Sequence, residues 1–145
     1  MKVKKEIKNG FYIFICIGVF FLLMEFLGLS NLYYLRLINT VFVVYAVNDT
    51  LKSRIAHGKK NFVSNAVAAL VTSGVGVFLS ILGLLIYSYL RGGNEYIHNL
   101  SKTFLFGGNP SINMYCLTLF FEGMAASLIV TMLLMLYYNN KFVAD

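Results

Sequence analysis

The chain has 145 residues, of which 59% are hydrophobic and only 12% charged, with one proline and a formal net charge of +6. A soluble domain of this length needs far fewer apolar residues for its core, so the expected solvent is a lipid bilayer. The basic excess is distributed between loops rather than over a soluble surface, which points away from nucleic acid as a partner and makes the charge a topological signal.

Four Lys residues, Lys2, Lys4, Lys5 and Lys8, precede the first apolar block, from about Gly10 to Leu29. This start resembles a secretory signal peptide. Its apolar run is longer than the usual signal core of about 7 to 15 residues and no small-x-small site closes it, so it is read as a retained span. A tight polar turn near Ser30 and Asn31 leads into a second, less apolar block, about Asn31 to Leu51, which should form an antiparallel hairpin with the first. Third and fourth blocks run from about Phe62 to Leu90 and from about Ile112 to Tyr138. Crossing a hydrocarbon core takes about 20 helical residues, and none of the blocks alternates as barrel strands must. The expected fold is all-α: one integral, polytopic membrane domain over 1–145, with four transmembrane helices in an antiparallel bundle and spans at about 10–29, 31–51, 62–90 and 112–138.

The outer loop, 91–111, is broken by Gly92-Gly93 at one end and Gly107-Gly108-Asn109-Pro110 at the other. Between them Ile97, Leu100, Phe104 and Leu105 recur at helical spacing, interleaved with Glu95, His98, Asn99 and Lys102, with Asn94 placed to cap the start. The pattern predicts a short amphipathic helix on the outer leaflet, acting as a lid or a partner-docking element. The plainer alternative is a reentry loop.

Orientation follows from the basic residues. Lys2, Lys4, Lys5, Lys8, Lys52, Arg54, Lys59, Lys60 and Lys141 fall on one side of the predicted spans; Arg36, Arg91 and Lys102 fall on the other. Positive-inside bias then places both termini and the loop around His57 in the cytoplasm. Tyrosines cluster at the predicted span ends, with Tyr12, Tyr45, Tyr137 and Tyr138 toward one face and Tyr33, Tyr34, Tyr87, Tyr89 and Tyr115 toward the other, as interfacial rings do.

The third span carries Ala66, Ala69, Ser73, Gly76, Ser80 and Gly83 at steps of three and four, so one whole face is small. In lipid, such faces let helix backbones approach closely. Gly123, Ala126 and Ser127 in the fourth span form a plausible counterpart. The face serves packing within the chain or, on a sharper reading, docking of another subunit.

Ionisable groups inside spans are the default candidates for function, because a charge there is costly unless paired or hydrated. Glu25 and Glu122 qualify, and Arg36 and Arg91 lie at compatible depth, so Glu25, Arg36, Arg91 and Glu122 form the candidate intramembrane polar cluster. It is either a salt-bridge network that fixes helix register or a polar vestibule for an ion, proton or anionic headgroup. Asp49 is read as a helix-end residue beside Lys52. Cys16 and Cys116 differ too much in depth for a disulfide, and His57 and His98 fall on opposite faces, so no shared metal site is expected. No phosphate-cradling loop and no nucleophile with a base is present, so neither a cofactor nor an enzyme is expected.

The segment Gly58-Lys59-Lys60-Asn61-Phe62 followed by Ala66, together with Glu122-Gly123 and Ser127-Leu128-Ile129, resembles a group of uncharacterised bacterial four-span proteins, the domain of unknown function 4199. That resemblance covers nearly the whole chain. It implies a four-helix fold in the bacterial inner (cytoplasmic) membrane and no established activity. The expected function is a non-catalytic accessory or scaffold subunit, with the bilayer and other membrane subunits as partners. The alternative is a small transporter or carrier of an ion or lipid-linked substrate that uses the Glu/Arg cluster.

Overall fold

The computed structural model describes residues 3–102 and 110–143, and every named element in them is helical. In chain order these are α1 (Val3–Phe26), a 3-10 turn (Tyr33–Arg36), α2 (Leu37–Ala56), α3 (Phe62–Leu90), α4 (Asn94–Leu100), α5 (Ile112–Tyr137) and a closing 3-10 turn (Asn139–Lys141). Among the described residues three helical stretches are long and apolar enough to cross a membrane: Lys5–Phe26, Phe62–Leu90 and Ile112–Tyr137.

The second expected span does not meet that criterion. Asn39, Thr40, Asn48, Asp49, Thr50, Lys52, Ser53 and Arg54 interrupt its apolar run, and the helix itself starts later and ends later than the expected 31–51. The tight turn near Ser30 is also a longer connection. α1 stops at Phe26, where Gly28 at φ 70° takes the left-handed conformation; its N–H bonds Glu25 O at 3.1 Å and that of Leu29 bonds Met24 O at 2.8 Å. This doubly bonded ending satisfies carbonyls that an abrupt stop would orphan. Gly58, at φ 75°, ends α2 in the same way, with bonds to Ile55 O and, through Lys59 N, to Arg54 O. At its other end α1 begins at Val3, inside the lysine segment, rather than at Gly10.

α3 and α5 start where the sequence says, because each has a side-chain cap. Asn61 accepts from Ser64 N at 2.7 Å and Ser111 from Met114 N at 3.3 Å.

Contacts fix the helix directions. Asn9 meets Thr50 and Phe20 meets Phe42, so α1 and α2 run in opposite directions. Ile13 meets Gly76 and Phe21 meets Tyr87, so α1 and α3 run the same way. Val77 meets Gly123 and Phe62 meets Phe142, so α5 opposes α3. α2 and α3 lie at the centre, each packed on the other and on both outer helices, whereas α1 and α5 scarcely meet among the described residues.

The bundle has two cores. At the end that carries both termini, Ile13, Val43, Val47, Leu51, Ala69 and Val130 pack together with Tyr138, whose hydroxyl donates to Asn48 at 2.6 Å. At the opposite end Ile97, Leu100, Ile112, Tyr115 and Cys116 form a second cluster.

α4 is the helix expected in the outer loop, but it is shorter and sits differently. Ile97 and Leu100 are buried in the second core rather than laid along an outer surface. Asn94 does not cap its own helix either: α4 starts from Gly93, and the Asn94 side chain accepts from Ile112 N at 3.3 Å, tying α4 to the first residue of α5. Phe104, Leu105 and Gly107-Gly108-Asn109, also part of that expectation, lie outside the described residues.

Candidate functional site: a cavity between the two cores

Between the cores the helices part around a cavity of about 330 Å³, partly open to the surface. This lies at the lower end of the range of roughly 300 to 1,000 Å³ for small-molecule pockets. Phe14, Ile17, Phe20, Ile81, Leu84 and Leu119 supply apolar wall from α1, α3 and α5, and Leu100 of α4 contributes at the loop end. Polar groups are few: Ser30 and Arg36 from the connection before α2, Asn39 and Thr40 from its first turn, Ser80 and Tyr87 from α3, and Tyr115 and Glu122 from α5.

The four residues expected to cluster separate into two groups. Arg91 Nη2 lies 3.7 Å from Glu25 Oε1, where α3 ends beside α1; there Arg91 is largely exposed and Glu25 mostly buried. Its Nε donates to the Tyr87 hydroxyl at 3.0 Å, and that hydroxyl, then Glu25, holds the guanidinium charged. Tyr96 of α4 stacks edge-on against Tyr87, and burial, followed by the nearby Glu25 carboxylate, raises its phenol pKa. Neither Glu25 nor Arg91 reaches the cavity wall.

Arg36 and Glu122 do line the cavity, on α2 and α5. Arg36 Nη1 donates to the Tyr115 hydroxyl at a long 3.4 Å, with its guanidinium carbon 5.9 Å from the ring centre. Tyr115 feels the charges of both Arg36 and Glu122. Glu122 makes no ion pair among the described residues. The buried side-chain amide oxygen of Asn39, about one turn along α2 from Arg36, has no hydrogen-bond partner among the described residues.

The small face of α3 is occupied from within the chain. A Cβ at Gly76 would lie 2.6 Å from Ile13 Cβ, and one at Gly83 3.0 Å from the Phe14 ring, so α1 fills the face. Ala69 and Ser73 are fully buried and Ala66 packs against the first core, whereas Ser80 faces the cavity. On α5, Gly123 receives Val77, a Cβ there lying 2.8 Å from Val77 Cγ1.

A polar network at the end that carries the termini escaped the sequence reading. Arg54 donates to Glu6 Oε1 at 2.8 Å, to Asn65 Oδ1 at 2.9 Å and to Ser64 Oγ at 2.6 Å, and the side chains of Arg54 and Glu6 are only 13% and 6% exposed. Asn65 returns both amide protons to Lys59 O and Asn61 O. Beside it Asn9 bridges Asp49 and Thr50, Thr50 bonds Thr72, and Lys5 pairs with Asp49 at 3.2 Å. Asp49 is thus a cross-helix partner of α1 rather than a helix-end residue. The signal was available: Val43, Val47, Thr50, Leu51 and Arg54 fall on one helical stripe of α2, which places Arg54 on its buried side.

The chemistry of the described residues offers no grouping of three or more His, Cys, Asp or Glu for a metal, and both cysteines are free. Compared with known protein families, characterised proteins and solved structures, the chain matches none, so its function rests on its own residues.

Proposed function

We propose that the chain is a non-enzymatic, four-span protein of the bacterial inner membrane that holds a lipid-like amphiphile in the cavity between its cores. Both ends face the cytoplasm by the positive-inside bias, so the cavity occupies the outer half of the bilayer. The observation that carries the reading is the cavity itself: a mainly apolar chamber of about 330 Å³ with Arg36, Asn39, Thr40 and Tyr115 toward its loop end and Ser80 and Glu122 deeper. Mainly apolar pockets with a few placed polar groups suit small amphiphilic ligands, and in a bilayer the available occupant is a chain with a polar head.

α2 counts as the fourth span on the same reading. Asp49, Thr50 and Arg54 are bonded to residues of α1 and α3, which removes much of the cost of their depth.

A scaffold or accessory subunit was the first expectation, motivated by the small face of α3. Gly76 and Gly83 of that face pack against Ile13 and Phe14 of α1, which supports its use for packing within the chain. The carrier reading keeps its motivation, because Arg36 and Glu122 line the cavity.

Photolabelling with an alkyl diazirine amphiphile in lipid nanodiscs tests this function. Labelling of Leu119 or Ile81 that an excess of unlabelled amphiphile suppresses is the expected result. Labelling confined to lipid-facing residues such as Met132 and Leu133, unaffected by competitor, would overturn it.

A further inference from the structure

Resting on the amphiphile-binding reading, we infer that the cavity selects an anionic head, a phosphate or a carboxylate, and that Arg36 is the residue that reads it.

Among the described residues Arg36 is the one cation on the cavity wall. It closes the 3-10 turn Tyr33–Arg36 and so stands at the loop end of the chamber, with Asn39 and Thr40 about one turn deeper and Val43 and Val77 beyond them. Arg36, Asn39 and Thr40 together seat a head at the loop end, with the chain between α1, α3 and α5, where Ser80 and Glu122 are the polar groups on the wall. A guanidinium presents five donors in a planar fork that matches carboxylate and phosphate oxygens.

The Asn39 amide supplies a second polar group. Among the described residues its amide oxygen is buried without a partner, a costly state unless something arrives to satisfy it. A half turn of the amide offers either an acceptor to a head hydroxyl or a donor to a head oxygen.

Glu122 sets the opposite sign farther in. It lies seven residues beyond Tyr115 on α5, about 10 Å along the helix, at the level of the chain rather than the head. A cationic head would meet Arg36 at the loop end, whereas an anionic head there is drawn to Arg36 and kept from sliding inward by Glu122.

The probes are dodecyl phosphate, dodecanoate and dodecanol, titrated against the purified full chain in an uncharged detergent with bound molecules counted by native mass spectrometry. A charge-assisted hydrogen bond corresponds to about tenfold or more in affinity. One dodecyl phosphate or dodecanoate should bind at least tenfold tighter than dodecanol, and the tighter of the two identifies a phospholipid-type or a fatty-acid-type source. Arg36→Gln should abolish that preference, bringing dodecyl phosphate and dodecanoate to the level of dodecanol in the same variant, and Arg36→Lys should retain part of it. Equal binding of all three probes to the unsubstituted chain would overturn the selectivity without recourse to any variant. Ala126→Phe fills the chamber and separates the two readings: if dodecanol binds that variant as well as the unsubstituted chain, the cavity is not the site and the parent reading fails. Loss of dodecanol binding in Ala126→Phe, with no preference for anions in the unsubstituted chain, would overturn only the selection by Arg36.

Discussion

Gly76 and Ile13 meet so closely that a single methyl group at Gly76 would stand 2.6 Å from Ile13 Cβ. The contact sets how near α1 approaches α3 beside the cavity, whose wall includes the neighbouring Phe14 and Val77. Gly76→Ala should destabilise the protein by at least about 1 to 3 kcal/mol, the usual cost of overpacking. At Gly74, two residues away, a methyl group would meet nothing within 4 Å, so Gly74→Ala should be neutral or stabilising by up to about 1 kcal/mol through helix propensity. Thermal unfolding of both variants in the same detergent checks the contrast; equal effects would count against the α1–α3 contact.

The Glu6–Arg54 pair provides a second test. Removing one partner of a buried ion pair costs roughly 3 to 5 kcal/mol, because the other charge stays buried, whereas replacing both by apolar residues is often far milder. Glu6→Ala is therefore expected to be more damaging than Glu6→Leu combined with Arg54→Met. Arg54 also bonds Asn65 and Ser64, so Arg54→Ala should be the worst of the set. A double-mutant cycle on unfolding free energy measures the coupling directly.

α4 is expected to be protected rather than exposed. Ile97 N bonds Gly93 O at 3.2 Å and Ser101 N bonds Ile97 O at 2.9 Å, and the Ile97 side chain is fully buried. Hydrogen exchange in lipid nanodiscs should show slow amides at Ile97 and Ser101. Ile97→Ala, which opens the second core, should accelerate both and cost about 2 to 5 kcal/mol.

Tyr96 gives a pH-dependent expectation. Its phenol pKa is raised in the folded protein by burial and by Glu25, so the folded state favours the neutral ring. The stability this contributes is fully present below the ordinary tyrosine value near pH 10 and is lost as pH rises through the raised folded value. Tyr96→Phe should therefore match the unsubstituted chain at pH 7 and lose less stability than it above pH 10, read as the difference between their unfolding curves.

Whether α2 crosses the bilayer is decided by the two connections it joins. Cysteines placed at Asn31 and Lys59 should react with impermeant thiol reagents from opposite sides, Lys59 from the cytoplasm. Reaction of both from one side would leave three spans and put α2 at the surface.

α3 and α5 were legible in the sequence because Asn61 and Ser111 punctuate long, uniformly apolar runs, so composition and capping agree at the same residue. α2 was not, since its polar residues take partners on other helices and its boundaries are set by Gly58 and by the 3-10 turn rather than by hydropathy. Glu6 and Arg54 were hidden for a related reason: within a basic segment and a basic loop they read as topology, and only the helix phase of α2 reveals a buried arginine. The four candidate charges were found, but which pair shares a surface depends on helix rotation. Glu25 turns toward the end of α3, whereas Arg36 and Glu122 turn toward the cavity. The cavity leaves no mark in composition, because its wall is assembled from residues of separate helices that meet only in the folded bundle.

Central to all of this is the occupancy of the cavity, and the most direct measurement is native mass spectrometry of the full chain extracted gently from its own membrane. One tightly held amphiphile per chain, absent from Ala126→Phe purified in the same way, is the expected result. An empty unsubstituted protein, or an Ala126→Phe variant that retains the same molecule, would contradict it.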